Sequence, residues 1–127
     1  MTYGTIVVCG GGCYGGYYVR QLARARAGGA ITFSRIVVVD REPQCTVARL
    51  ADAIARHDAA GIAAHGWALQ KADQAAHEAV AEPAYHGLPV EVVVSDWDTF
   101  FAGWFARLVD AHDLAAHDAV VPSPLMP

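Results

Sequence analysis

Residues Thr5–Asp40 read TIVVCGGGCYGGYYVRQLARARAGGAITFSRIVVVD, and this stretch decides the fold. Ile6, Val7 and Val8 lack polar alternation, as in a strand buried on both faces of a parallel sheet. Gly10, Gly12 and Gly15 then fall in the order G-x-G-x-x-G, directly after that strand and before a helical pattern. On the helix, Val19, Leu22 and Ala23 are expected on the sheet side and Arg20, Gln21 and Arg24 on the solvent side. Gly28 and Gly29 stop it. Ile36–Val39 forms a second buried strand, which ends on Asp40.

Outward from this unit, Pro43 is expected in the first turn of a second helix, where a missing N–H is tolerated. Val47, Leu50, Ala51 and Ile54 carry its apolar rhythm, and Asp52 pairs with Arg56 at i, i+4. Residues 57–88 read as a helical insertion between strands two and three. Gly61 and Gly66 are expected to break its start, Ala68–Val80 give a shallow apolar face, and Pro83 ends it. Val90–Val94 is the third strand. Asp98 or Ser95 is the expected cap of a helix from Thr99 to about Ala111. Ala119–Val121 is a short fourth strand, and Pro122 and Pro124 forbid a helix immediately after it. The fold expected for residues 1–127 is a single α/β three-layer domain with a mainly parallel sheet, ordered 3-2-1-4.

Composition narrows the function. With 54% apolar and 17% charged residues, the 127-residue chain has the makeup of one folded domain. A net charge of −4 without a basic cluster argues against nucleic acid as partner. No apolar run reaches the roughly 18 residues of a membrane span, and the N-terminus lacks signal-peptide features. Cys9, Cys13 and Cys45 match no zinc spacing, so free thiols in a reducing, cytoplasmic setting are expected.

The glycine unit carries the chemistry. Gly10 allows a tight turn, Gly12 lets backbone approach a pyrophosphate, and Gly15 lets the helix pack close. First-turn N–H groups, including those of Cys13 and Tyr14, and the helix dipole favour the phosphate charge. Asp40 is placed to accept ribose hydroxyls and to repel a 2′-phosphate, which favours NAD over NADP. Neighbouring Arg41 weakens that preference.

The chain resembles NAD(P)-binding Rossmann domains, in particular those of saccharopine-dehydrogenase-like oxidoreductases. The likeness rests on VVCGGGCYGGYYVRQLARA, FSRIVVVDREP, VEVVVSDWD and HDAVVPSP. It implies that Asp96 lies near the adenine and that Val121, Pro122 and Ser123 lie near the nicotinamide ribose. The family's catalytic half has no counterpart in these residues. The resemblance therefore implies the cofactor-binding part of an oxidoreductase, with the catalytic portion absent or supplied elsewhere, and no catalytic residue is nominated.

Other readings stay open. The same glycine pattern serves S-adenosylmethionine and FAD sites, and it also occurs as a tight turn with no ligand. A non-catalytic nucleotide-binding or dimerisation module is the main alternative. Cys13 fits as a small residue in a crowded loop. Asp110, His112, Asp113, His117 and Asp118 are close in sequence, but His112 and His117 diverge on a helix, so no metal site is expected. Phe100, Phe101, Trp104 and Phe105 make a wide aromatic face, which points to core and to a homodimer interface.

Overall fold

The computed structural model describes residues 2–66, 84–110 and 118–122. Four strands, β1 (Thr2–Cys9), β2 (Thr32–Asp40), β3 (Val90–Val94) and β4 (Ala119–Val121), form one all-parallel sheet in the order β3-β2-β1-β4. Helix α1 (Cys13–Ala27) joins β1 to β2. Helices α2 (Thr46–Ala55) and α3 (Ala59–His65) follow β2, and α4 (Trp97–Asp110) follows β3. Strand order runs outward from β1 to β3 and then returns to β4 on the other side of β1. The direction in which strands are added therefore reverses between β1 and β4, beside the glycine loop, while all four strands stay parallel.

The strands alternate in the residues they send to each face. Ile6, Val8, Ile36 and Val38 pack against Val19 and Ala23 of α1, Val47, Leu50, Ala53 and Ile54 of α2, and Ile62 of α3. Val7, Val37 and Val39 pack on the opposite face against Trp104 of α4, with Trp97, Phe100 and Phe101 beside them. Two covered faces are why the strand centres read as unbroken valine and isoleucine. The architecture is the expected three-layer α/β domain.

Both central strands start earlier than their apolar runs, with Thr2–Thr5 mostly half-buried and Thr32–Arg35 mostly exposed. Helix α1 ends as expected: Gly29 takes φ +77°, and the amides of Gly29 and Ala30 bond to the carbonyls of Arg26 and Ala25. Asp52 meets Arg56 at 3.2 Å.

Four local expectations are corrected. Arg20, expected on the solvent side, is buried at 8% exposure, and its charge acts on the phenol of Tyr85. Pro43 lies in a turn before α2 rather than within it. There the Asp40 and Glu42 carboxylates accept the Glu42 and Gln44 amides at 2.8 and 3.0 Å, holding the backbone in a turn until Cys45. Gly61 does not break a helix but sits inside α3, where its amide donates to the N-cap Asp58 at 3.1 Å. The cap of α4 is neither Asp98 nor Ser95 but Asp96, and the helix begins at Trp97. Of the 57–88 insertion, residues 67–83, including the Ala68–Val80 face and Pro83, lie outside the described residues.

Candidate functional site at the carboxyl ends of the strands

The glycine loop is tied to the rest of the sheet by backbone hydrogen bonds. Gly10 adopts φ +95°, a conformation open to glycine, and its amide donates to the Val39 carbonyl at 2.8 Å. The Gly11 amide donates to Oδ2 of Asp40 at 2.7 Å, and the Gly11 carbonyl accepts from the Val47 amide at 2.9 Å. A Cβ on Gly15 would run into the Gly10 carbonyl, so α1 lies against the loop only because that position has no side chain. Around Gly12, by contrast, a Cβ would meet nothing within 4 Å. Gly12 is exposed and serves as N-cap of α1 without a side-chain cap bond, and the first turn holds no acidic residue. Those first-turn N–H groups and the dipole make an open anion-attracting end.

Asp40 sits at the C-terminal end of β2 and is half-buried. Its second oxygen, Oδ1, accepts the Glu42 amide. Each carboxylate oxygen carries more than one acceptor site, so a hydroxyl can still bond there. Beside it, Asp40, Arg41, Asp96 and Trp97 line one small cavity of about 220 Å³. A larger, open cleft of about 820 Å³ continues from Arg41 along Val94–Thr99. The structure thus brings Asp40, Arg41 and Asp96 to one place.

The Asp96 carboxylate is occupied as a cap. It accepts the Thr99 amide at 2.7 Å and the Thr99 hydroxyl at 2.9 Å. These bonds, the amide first, hold it below its ordinary value, and the Arg41 charge adds to the effect. Trp97 is the wall residue that sequence reasoning missed. Its indole N–H donates to the Val39 carbonyl at 3.3 Å, and its ring edge lies 3.9 Å from where a Gly10 Cβ would be. The signal was the aromatic inside SDWD, at the start of a helix after a strand.

On the other side of the loop, Val121 pairs with Val8, which puts the end of β4 next to β1, and Pro122 is exposed beyond it. Ser123 lies outside the described residues. Cys13 opens α1, and Tyr14 follows it with its side chain 48% exposed. Cys9 and Cys45 are buried and form no disulfide. Burial raises the Cys45 thiol above its ordinary value, the Ala48 amide opposes this, and the Asp40 charge reinforces it. That thiol stays protonated and unreactive.

Among the described residues, no group of three or more His, Cys, Asp or Glu side chains could hold a metal ion. Asp118, from the acidic and histidine-rich segment, accepts the Thr5 amide at 2.7 Å. His112, Asp113 and His117 lie outside the described residues. Also among those residues, no helix is long and apolar enough to cross a membrane. On α4, Trp104 is buried while Phe105 is 54% exposed.

Compared with protein-family models, characterised proteins and solved structures, the chain matches none.

Proposed function

We propose that this chain binds a dinucleotide, NAD in preference to NADP, across the carboxyl ends of β1, β2 and β4. The observation that carries the reading is the contrast within the glycine loop. Gly10 and Gly15 are required by the fold, while Gly12 faces open space at the uncapped start of α1. An open glycine at a helix N-terminus beside the sheet's reversal point is the arrangement a pyrophosphate needs. Asp40 then takes the ribose hydroxyls, and its charge disfavours a 2′-phosphate. Arg41, Asp96 and Trp97 border the space for the base, and Val121, Pro122 and Ser123 border the other half of the cofactor. In this reading the chain is the cofactor-binding part of an oxidoreductase working in the cytoplasm, its catalytic portion supplied elsewhere.

Calorimetric titration with NAD, NADP, S-adenosylmethionine and FAD tests this. Heat of binding with NAD above the other three is the expected outcome, and no heat with any of them removes the proposal.

A second reading has its own support. Both polar groups of Gly11 and both oxygens of Asp40 are bonded within the protein, so the loop is complete without a ligand. A non-catalytic module that dimerises through the Phe100–Phe105 segment fits that completeness, with exposed Phe105 stacked on Phe101 as the contact. Sedimentation of wild type against Phe105→Glu separates the two states. A dimer that dissociates in the variant supports this reading, and a monomer in both removes it.

A further inference from the structure

Helices α1 and α2 end in the same hydrogen-bonded motif with different residues at its strained position. In α1 the left-handed residue is Gly29. In α2 the equivalent residue is His57, at φ +54°, with its amide bonded to the Ile54 carbonyl at 3.2 Å and the Asp58 amide bonded to the Ala53 carbonyl at 2.9 Å. Glycine is the residue of choice there, and among the described residues His57 is the one non-glycine at positive φ. A side chain kept at a strained, exposed position points to a use outside packing.

The second observation is what His57 faces. Its ring lies 5.6 Å from that of His86, centroid to centroid, with the planes tilted by 40°. Both residues are exposed, and His86 comes from the segment leading into β3, far away in sequence. We propose that His57 and His86 form a two-imidazole site for a borderline divalent cation of the Ni²⁺, Cu²⁺ and Zn²⁺ class. Metal–nitrogen bonds of about 2.0–2.1 Å put two imidazole centroids on one ion on the order of 5 Å apart, close to the spacing found. Imidazole selects these ions over Mg²⁺ or Ca²⁺. Oδ1 of Asp58 accepts the Gly61 amide, and water fills the remaining coordination positions in this proposal. A bound ion ties the end of α2 to the entry of β3 and stabilises the folded state by linkage.

The test is thermal unfolding of the full chain, free of any histidine tag, with excess NiCl₂ and again after EDTA. The expected result is a rise in Tm on the order of 5 °C that EDTA reverses. His57→Gly relieves the backbone strain and His86→Ala changes an exposed side chain, so both variants fold, and each is expected to lose the nickel response. No response in the wild type, or a response of the same size in either variant, overturns the proposal.

Discussion

The Gly11 amide donates to Oδ2 of Asp40 at 2.7 Å, joining the loop after β1 to the last residue of β2. The acidic residue that would hold a ribose is thus also a clasp on the loop that would hold the pyrophosphate. With Oδ1 bonded to the Glu42 amide, the carboxylate has a set orientation before any ligand arrives. Preset donors and acceptors lower the ordering cost of binding.

Asp40→Ala is therefore expected to act twice. Removing the acceptor leaves the amide of buried Gly11 without its partner, which costs about 1–3 kcal/mol of stability. NAD affinity falls as well. Urea denaturation measures the first effect and calorimetry on the folded variant the second. Unchanged stability would show that the clasp contributes nothing.

Gly12→Ala and Gly15→Ala should part company. A methyl at Gly12 meets no atom within 4 Å, so the variant is expected to fold with a stability change of at most about 1 kcal/mol, a helix-terminal substitution. At Gly15 the methyl runs into the Gly10 backbone carbonyl, and a loss of about 3 kcal/mol or failure to fold is expected. Circular dichroism with thermal melts on both variants checks this. Equal stability would contradict the geometry of the loop.

Tyr85→Phe should cost about 1–2 kcal/mol, since the Tyr85 hydroxyl donates to the Gly66 carbonyl at 3.0 Å inside the core. Burial also raises the phenol's pKa from its ordinary 10.0, with the Arg20 charge opposing the rise. The folded value lies above the unfolded one, so this contribution is complete below pH 10 and is lost as pH rises through the folded value. Denaturation of wild type and Tyr85→Phe at neutral and alkaline pH should show the wild type losing more stability than the variant.

Asp96 gives the opposite pH dependence. The Thr99 amide and hydroxyl hold its carboxyl below the unfolded value of 3.8, so the cap is fully effective above about pH 5 and lost as pH falls through the folded value. Asp96→Ala should lower Tm by a few degrees at pH 7, with the gap from wild type closing in acid. A gap that does not change with pH would mean that the charge plays no part in the cap.

Much of this arrangement was legible in the sequence where one physical signal dominated. Unbroken runs such as Ile6–Val8 and Ile36–Val39 marked doubly covered strands, and the strand order with the intervening helices implied the 3-2-1-4 sheet. The glycine spacing marked the loop, and Asp40 its acidic neighbour. Tertiary contacts hid the rest. Arg20 reads as a surface charge on its own helix, yet the folded chain buries it to 8% exposure. Ser95, Asp96 and Asp98 are all competent caps within four residues, and the choice of Asp96 depends on where α4 starts as Trp97 seats against Val39. Gly11 was only a spacer in the motif, yet both of its polar groups fasten the loop.

Binding of NAD to the open loop is the central claim, and titration of NAD into wild type and Gly12→Ala tests it most directly. Wild type should bind, and the folded Gly12→Ala protein should bind at least about tenfold more weakly, a difference of roughly 1.4 kcal/mol, because the added methyl occupies the space for the pyrophosphate. Equal affinity in the two proteins, or no binding to wild type, would contradict the account.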